Sequence, residues 1–514
     1  MLINTMKDLM EKYDNTILTL PNGGITITSV KYVPEGEHSC EFEYDPDHLI
    51  YHTKGFVSIQ GAIHGCDKEA TNICFEVAVP DDWNGKLIQI GGGGFNGIIR
   101  PCHLNSFADI HAKKVKTYVY GRTMEDPTLV SDGYAVCSTD SGHKVKFEWD
   151  ASWALNPEVL RNHAFEHLKK TREAAAFLVS ELHGKLPEMT YFFGGSEGGR
   201  EALEVVQRYS EDYNGVICFF PGVNLLTKGI KDFFVRKTLL EDNGAAWLSP
   251  DDRAYVKQVA SDVCDGDVND WKYALERKGE IFEKLALKLT PAQIKGLRAL
   301  TDDMYLPYPV SNGVRKIPGY LTYLGIGLDS LYTSSPFETD GEMMRMGSDT
   351  VQYIIMRDPS FDTNDFDVEK CKEKIIEASE LLDATNPDIS AFKVRGGKLI
   401  ILHGMEDEVI TPVSTIDYYE SLQAKFGDKL DDYVRLYLIP GYGHNSGRFI
   451  VRHDFIKTLE NWVKNDVVPE ELIIEDAIPE NNGRTIPIYP YPGYPHYKGS
   501  GDKNKAENYY KRTK

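Results

Sequence analysis

The chain is 514 residues long, with 41% hydrophobic and 26% charged residues and a formal net charge of −21. That length buries a large core and holds one big domain with a substantial insertion, or two domains. The acidic balance argues against nucleic acid or an anionic membrane as the main partner, and no segment approaches the roughly 20 apolar residues that span a bilayer.

In chain order, Met1 to Thr16 carries Lys7, Asp8, Glu11, Lys12 and Asp14, so it lacks the apolar centre of a signal peptide. Eight cysteines are scattered without C-x-x-C spacing, which argues against a zinc site and for reduced thiols. A cytoplasmic protein is the expectation. The first 80 residues read as β-rich, with strand-type runs at Ile25–Val30 and Ile73–Pro80. A turn at Asp81–Gly85 precedes a buried strand, Lys86–Ile90, which runs into Gly91-Gly92-Gly93-Gly94-Phe95-Asn96-Gly97.

Four glycines after a strand let the backbone approach a ligand and aim N–H groups at an anion. A nucleotide phosphate loop, an oxyanion loop facing a nucleophilic serine, and a purely structural turn are the three readings. The first lacks the Gly-Lys-Ser/Thr and G-x-G-x-x-G contexts, and the second fits better. Gly133–His143 reads as a strand ending in a polar loop. His143 precedes the candidate serine, the wrong order for a base in this kind of hydrolase, and is expected to be structural or pocket-lining. Asn162–Leu182 has helical apolar spacing.

The strand at Tyr191 ends in Gly194-Gly195-Ser196-Glu197-Gly198-Gly199-Arg200, and Glu201–Arg208 reads as a helix. Gly-x-Ser-x-Gly between a strand and a helix forces a tight turn that lifts the serine hydroxyl clear of the sheet. Strand, helix, strand, turn, helix is the α/β pattern of a parallel sheet. Gly215–Gly222 reads as another strand. From about 223 to 391 the chain turns helical and charged, with Pro291 opening one helix, and this segment is expected to be an inserted lid domain. The catalytic domain is then 1–222 with 392–514.

Sheet character returns at Lys398–Gly404, followed by Met405-Glu406-Asp407-Glu408. Here Asp407 is the candidate to orient a histidine, with Glu406 and Glu408 as rivals. The strand Val434–Pro440 ends in Gly441-Tyr442-Gly443-His444, and His444 is the candidate general base. A helix is expected over Phe449–Val463. Ser196, Asp407 and His444 stand in the order used by serine hydrolases of α/β type.

These motifs, together with Asp140-Ser141-Gly142-His143 and the tail from Tyr491 to Asp502, resemble the tannase and feruloyl esterase family. That family has the α/β-hydrolase fold and includes an esterase acting on a terephthalate monoester. The resemblance implies a mostly parallel central sheet with a large helical lid and hydrolysis of esters of aromatic acids such as gallate or hydroxycinnamate. It implies Ser196 as nucleophile with Asp407 and His444 completing the triad; the mechanism then takes oxyanion donors from Glu197 and from Gly93 or Gly94. Secreted members place disulfide-linked cysteines where this chain has Gly195 and Asn445, which points to an intracellular relative whose nucleophile turn is held by packing alone. No cofactor is required. The family's calcium loop is matched in shortened form by Asp265, Asp267 and Asp270, and a solvated acidic turn is the competing reading. The partner implied is a small-molecule aromatic ester. Hydrolysis of other small esters or amides, and a catalytically silent binding protein, are the alternative functions.

Overall fold

The computed structural model describes residues 18–20, 23–42, 45–105, 107–109, 114–116, 118–146, 149–264, 275–321, 328, 342–481 and 483–513. Met1 to Thr16 lies outside them. The chain forms two compact units, Met1–Phe219 with Ile389–Ile400 and Asp454–Val468, and Phe220–Asp388 with Ile401–His453 and Pro469–Lys514. Among the described residues no helix is long and apolar enough to cross a membrane.

The first unit is built on β1 (Leu18–Leu20), β2 (Gly23–Val33), β3 (Phe56–Ile63), β4 (Ile73–Pro80), β5 (Lys86–Ile90), β6 (Ala135–Thr139), β7 (Met189–Gly195) and β8 (Gly215–Phe219). Their order across the sheet is β1-β2-β3-β4-β6-β5-β7-β8. The last four strands pair in parallel, whereas β1, β2, β3 and β4 pair antiparallel with one another and β4 pairs antiparallel with β6. The parallel half of the sheet thus carries an antiparallel extension at its N-terminal side. Strands β4 and β5 fall on the residues their composition predicted. Every residue of β6 and β8 is buried, as strands covered on both faces require.

The core packs Ile59, Phe75, Val77, Leu87 and Cys137 against Ala174, Ala175, Leu178 and Leu182 of helix α1 (His167–His183). Each large apolar side chain buried here contributes about 2 kcal/mol. The expected single helix from Asn162 is instead a π-helical turn, Asn162–Glu166, followed by α1, which ends at Gly184 with φ 72°. The expected helix at Phe449 starts later, as Phe455–Asn465, because Val451–Arg452 pairs with Asp476 and Glu475 as a short strand.

In the second unit the described part of 223–391 is mainly helical, with helices Leu225–Gly244, Pro250–Val263, Lys278–Leu285, Pro291–Thr301, Glu342–Asp349 and Lys372–Leu382. Pro291 opens its helix as expected, and Thr290 and Gln293 cap it reciprocally, Gln293 N–H donating to Thr290 Oγ1 at 3.2 Å and Thr290 N–H to Gln293 Oε1 at 3.0 Å. Strand β9 (Lys398–Gly404) passes from the first unit into the second. Within the second unit, Phe220 N–H donates to Leu402 O at 2.7 Å, and Met405 N–H to Ile439 O of β10 (Val434–Ile439) at 3.0 Å.

Candidate active site

Strand β7 ends at Gly195 and helix α2 (Glu197–Arg208) begins one residue later, leaving Ser196 alone to turn the chain. Its φ of 62° and ψ of −122° are costly for a residue with a β-carbon, a strain held in place by its surroundings. Ser196 N–H donates to Phe219 O at 3.1 Å, and its carbonyl accepts from Gly199 and Arg200, each at 3.0 Å. The glycines around it are steric necessities. A β-carbon on Gly194 would collide with the Gly198 carbonyl, one on Gly198 would lie 2.9 Å from Gly92 O, and one on Gly91 would lie 2.6 Å from Gly198 Cα. Turn and glycine run therefore pack backbone against backbone.

The glycine run divides its N–H groups. Gly91 donates to Phe193 O at 3.0 Å and Gly92 to Glu201 Oε2 at 2.9 Å, both structural bonds. Among the described residues the N–H groups of Gly93, Gly94 and Glu197 meet no acceptor. The Glu197 N–H also stands at the positive end of α2. Ser196 and Gly93 are half-buried.

The turn is not held by packing alone, and that expectation is corrected. Arg200 is fully buried; its Nε donates to Glu197 Oε1 at 2.8 Å, its Nη1 to Ala164 O at 2.8 Å and its Nη2 to His163 O at 3.1 Å. Both carbonyls belong to the π-helical turn, where the widened hydrogen-bonding pattern leaves carbonyls for a guanidinium. Glu201 accepts from Gly92 N–H and from Asn96 Nδ2 at 2.5 Å, and lies 3.1 Å from His167 Nε2. Burial pushes the Glu201 carboxyl up, but His167 and the Gly92 N–H outweigh it and hold it below its ordinary value. Sequence reading gave the Arg200 and Glu201 side chains no role, since the carbonyls of His163 and Ala164 and the Gly92 N–H that they meet lie far away in the chain.

In the second unit, Asp407 and His444 meet. Asp407 is 1% exposed, and its Oδ1 accepts from Val409 N–H at 2.9 Å and Ile410 N–H at 2.7 Å. Its Oδ2 lies 2.9 Å from His444 Nδ1. His403 Nε2 lies 3.4 Å from the same oxygen and 3.0 Å from Ile410 O, and Nδ1 lies 2.8 Å from Thr415 Oγ1. A carbonyl only accepts, so His403 carries a proton on Nε2. Burial would raise the Asp407 carboxyl, but His444 and His403 outweigh it and hold it well below the usual range. Its neighbours have other partners: Glu406 accepts from Arg448 Nε at 3.0 Å, and Glu408 from His444 N–H at 3.2 Å and Ser446 Oγ at 2.9 Å. Burial raises the Glu408 carboxyl, with Asp407 adding to it.

His444 is positioned from its own turn. Glu406 N–H donates to Tyr442 O at 2.9 Å and Gly443 N–H to Ser446 O at 2.9 Å, while a β-carbon on Gly404 would strike the Tyr442 carbonyl. The imidazole is 17% exposed, with its centroid 4.4 Å from that of Phe220. Ser196 belongs to the first unit and Asp407 and His444 to the second.

His143 is buried as a structural residue, its Nε2 2.7 Å from Phe95 O and its ring stacked on Trp153 at 4.3 Å. Asp265, Asp267 and Asp270 lie outside the described residues. Among the described residues no group of three or more His, Cys, Asp or Glu is arranged to hold a metal ion.

Residues 57–272 and 283–512 match the family model described as tannase and feruloyl esterase. An uncharacterized esterase of Agrobacterium fabrum is 31% identical over 482 residues, which cover 88% of this chain and 85% of that protein. The mono(2-hydroxyethyl) terephthalate hydrolase of Piscinibacter sakaiensis is 26% identical over 522 residues, covering 88% and 84%. Among solved structures, feruloyl esterase B from Aspergillus oryzae is similar with a TM-score of 0.80 at 19% identity, both chains being covered completely.

Proposed function

The chain belongs to the tannase and feruloyl esterase family and is a carboxylic ester hydrolase, and on that premise we propose that it cleaves esters of aromatic acids by two-step acyl transfer at Ser196. The observation that carries the reading is a strained serine on a strand-to-helix turn whose following N–H, that of Glu197, meets no acceptor among the described residues, with the glycine run that leads into Gly93 and Gly94 packed against the same turn. Backbone donors left unclaimed beside a nucleophile are what a developing oxyanion requires. The Asp407–His444 pair supports it, because a carboxylate on Nδ1 fixes the tautomer whose basic lone pair is on Nε2.

In this reading His444 takes the Ser196 proton as the oxygen attacks the ester carbonyl, and Glu197 N–H with that of Gly93 or Gly94 holds the oxyanion. The protonated imidazole gives its proton to the departing alcohol. Water then attacks the acyl-enzyme, with His444 again as base, and the acid leaves. The helical segment 223–391 is assigned the role of a lid that selects the acyl group. No cofactor enters the chemistry.

Turnover of methyl gallate, methyl ferulate, a terephthalate monoester and a short aliphatic ester, beside matched amides, tests the proposal. Hydrolysis of the aromatic esters over the others, abolished in Ser196→Ala, is expected. Preference for the amides, or full activity in Ser196→Ala, overturns it.

A further inference from the structure

Tyr120 occupies a backbone position that favours other residues. In the hairpin formed by Tyr118–Val119 and Arg122–Thr123, Tyr118 pairs with Thr123 and Val119 with Arg122, so Tyr120 and Gly121 alone make the loop. Their φ angles are 52° and 90°. Two positive φ angles in a two-residue hairpin loop belong to the turn for which Asn-Gly, Asp-Gly or Gly-Gly is usual. A bulky aromatic at the first position is a steric outlier, and outliers of that kind persist where their surroundings over-determine them.

The surroundings of Tyr120 do so. Its side chain is buried, stacked on Phe219 at 5.5 Å between centroids and edge-on to Phe193 at 5.6 Å. Its hydroxyl donates to the Gly195 carbonyl at 3.3 Å, in the peptide that leads into Ser196. Burial pushes the phenol up, so it remains a donor across the working pH range. Arg100 completes the arrangement. Its guanidinium lies 5.2 Å from the centre of the Tyr120 ring, a cation set against the aromatic face. Its Nη2 lies 2.6 Å from where a β-carbon on Gly93 would stand. Gly93, Arg100, Tyr120 and Gly195 therefore form one run of contacts from the glycine loop to the nucleophile turn.

We propose that Arg100 and Tyr120 are positioning residues that set the spacing between the two halves of the oxyanion hole. The proposal rests on the esterase reading above. Neither side chain is assigned contact with the reacting atoms; they hold the Gly93 peptide in register with the Ser196–Glu197 peptide. Donors stabilise an oxyanion when they already point at the place it will occupy, so a loop allowed to drift loses rate without losing substrate binding. An aromatic residue serving only the core would move thermal stability and leave the saturated rate alone.

The test compares wild type, Tyr120→Phe, Arg100→Met, Arg100→Lys and the double variant Arg100→Met/Tyr120→Phe on a p-nitrophenyl ester of an aromatic acid, with thermal melts alongside. Expected are kcat losses of roughly tenfold or more for Tyr120→Phe and Arg100→Met with KM within about twofold. Arg100→Lys should recover part of the rate, and the double variant should be little worse than the poorer single, since both act through one run of contacts. A Tyr120→Phe kcat within twofold of wild type overturns the proposal. So does a loss carried by KM, or one proportional to the loss of folded enzyme. Wild type that neither turns over the ester nor is labelled at Ser196 by a fluorophosphonate sinks the esterase reading instead, so the two failures are distinguishable.

Discussion

His143 shows how a single buried side chain ties the stability of this protein to pH. Its Nε2–H donates to Phe95 O, its ring is stacked on Trp153 and edge-on to His163, and burial lowers its pKa to about 4. The unfolded chain binds a proton at this residue below about pH 6.5, whereas the folded one does not until about pH 4. The neutral histidine is thus favoured by folding, so its stabilising contribution is complete above pH 6.5 and is lost as the pH falls from there towards 4. That difference corresponds to about 3 kcal/mol. His143→Gln should flatten the fall in melting temperature between pH 6.5 and 4 relative to wild type, as followed by circular dichroism. An unchanged slope would show that the histidine is not the group responsible. The same residue was legible in the sequence only by exclusion, through its place before the serine; the carbonyl and tryptophan that hold it lie 48 residues before it and 10 after it.

At the scale of elements, the nucleophile turn combines a steric lock with an ionic one. The steric part was readable, because Gly194, Gly198 and the run from Gly91 are close-packing signals wherever they occur. The ionic part was not. Arg200 reaches Glu197 one turn back and Glu204 one turn on along its own helix, but the carbonyls that hold it belong to a π-helical turn, and the sequence of Asn162–Glu166 looks like ordinary helix. The helix after β10 was placed too early for a related reason: Val451 and Arg452 have strand neighbours more than 20 residues downstream. Removing one half of the buried ion pair leaves an uncompensated charge, at a cost of about 3–5 kcal/mol, while replacing both halves with apolar groups of similar volume comes closer to neutral. Arg200→Met should therefore destabilise the enzyme strongly in urea melts, and Glu197→Met/Arg200→Met should regain much of that loss. Additive losses in the double variant would contradict the pairing.

At the scale of the whole molecule, the parallel half of the sheet and the helical character of 223–391 announced themselves through runs of buried strand residues and capped helices, whereas the antiparallel extension of β1, β2 and β3 did not reveal its pairing. Strand residues such as Ile25–Val30 carry their own propensity but no record of which neighbour they face. Motif order along the chain likewise presents Ser196, Asp407 and His444 as a set, while the bonds that orient Asp407, from Val409, Ile410 and His403, come from residues with no motif of their own. The central claim is that these residues make and break an acyl-enzyme at Ser196. Acid-quenching the enzyme within milliseconds of mixing with a p-nitrophenyl ester of an aromatic acid, followed by peptide mass spectrometry, tests it most directly. The acyl mass is expected on the peptide containing Ser196, with none formed in Ser196→Ala. Turnover with no acyl mass on that peptide, or the same mass retained in Ser196→Ala, would contradict it.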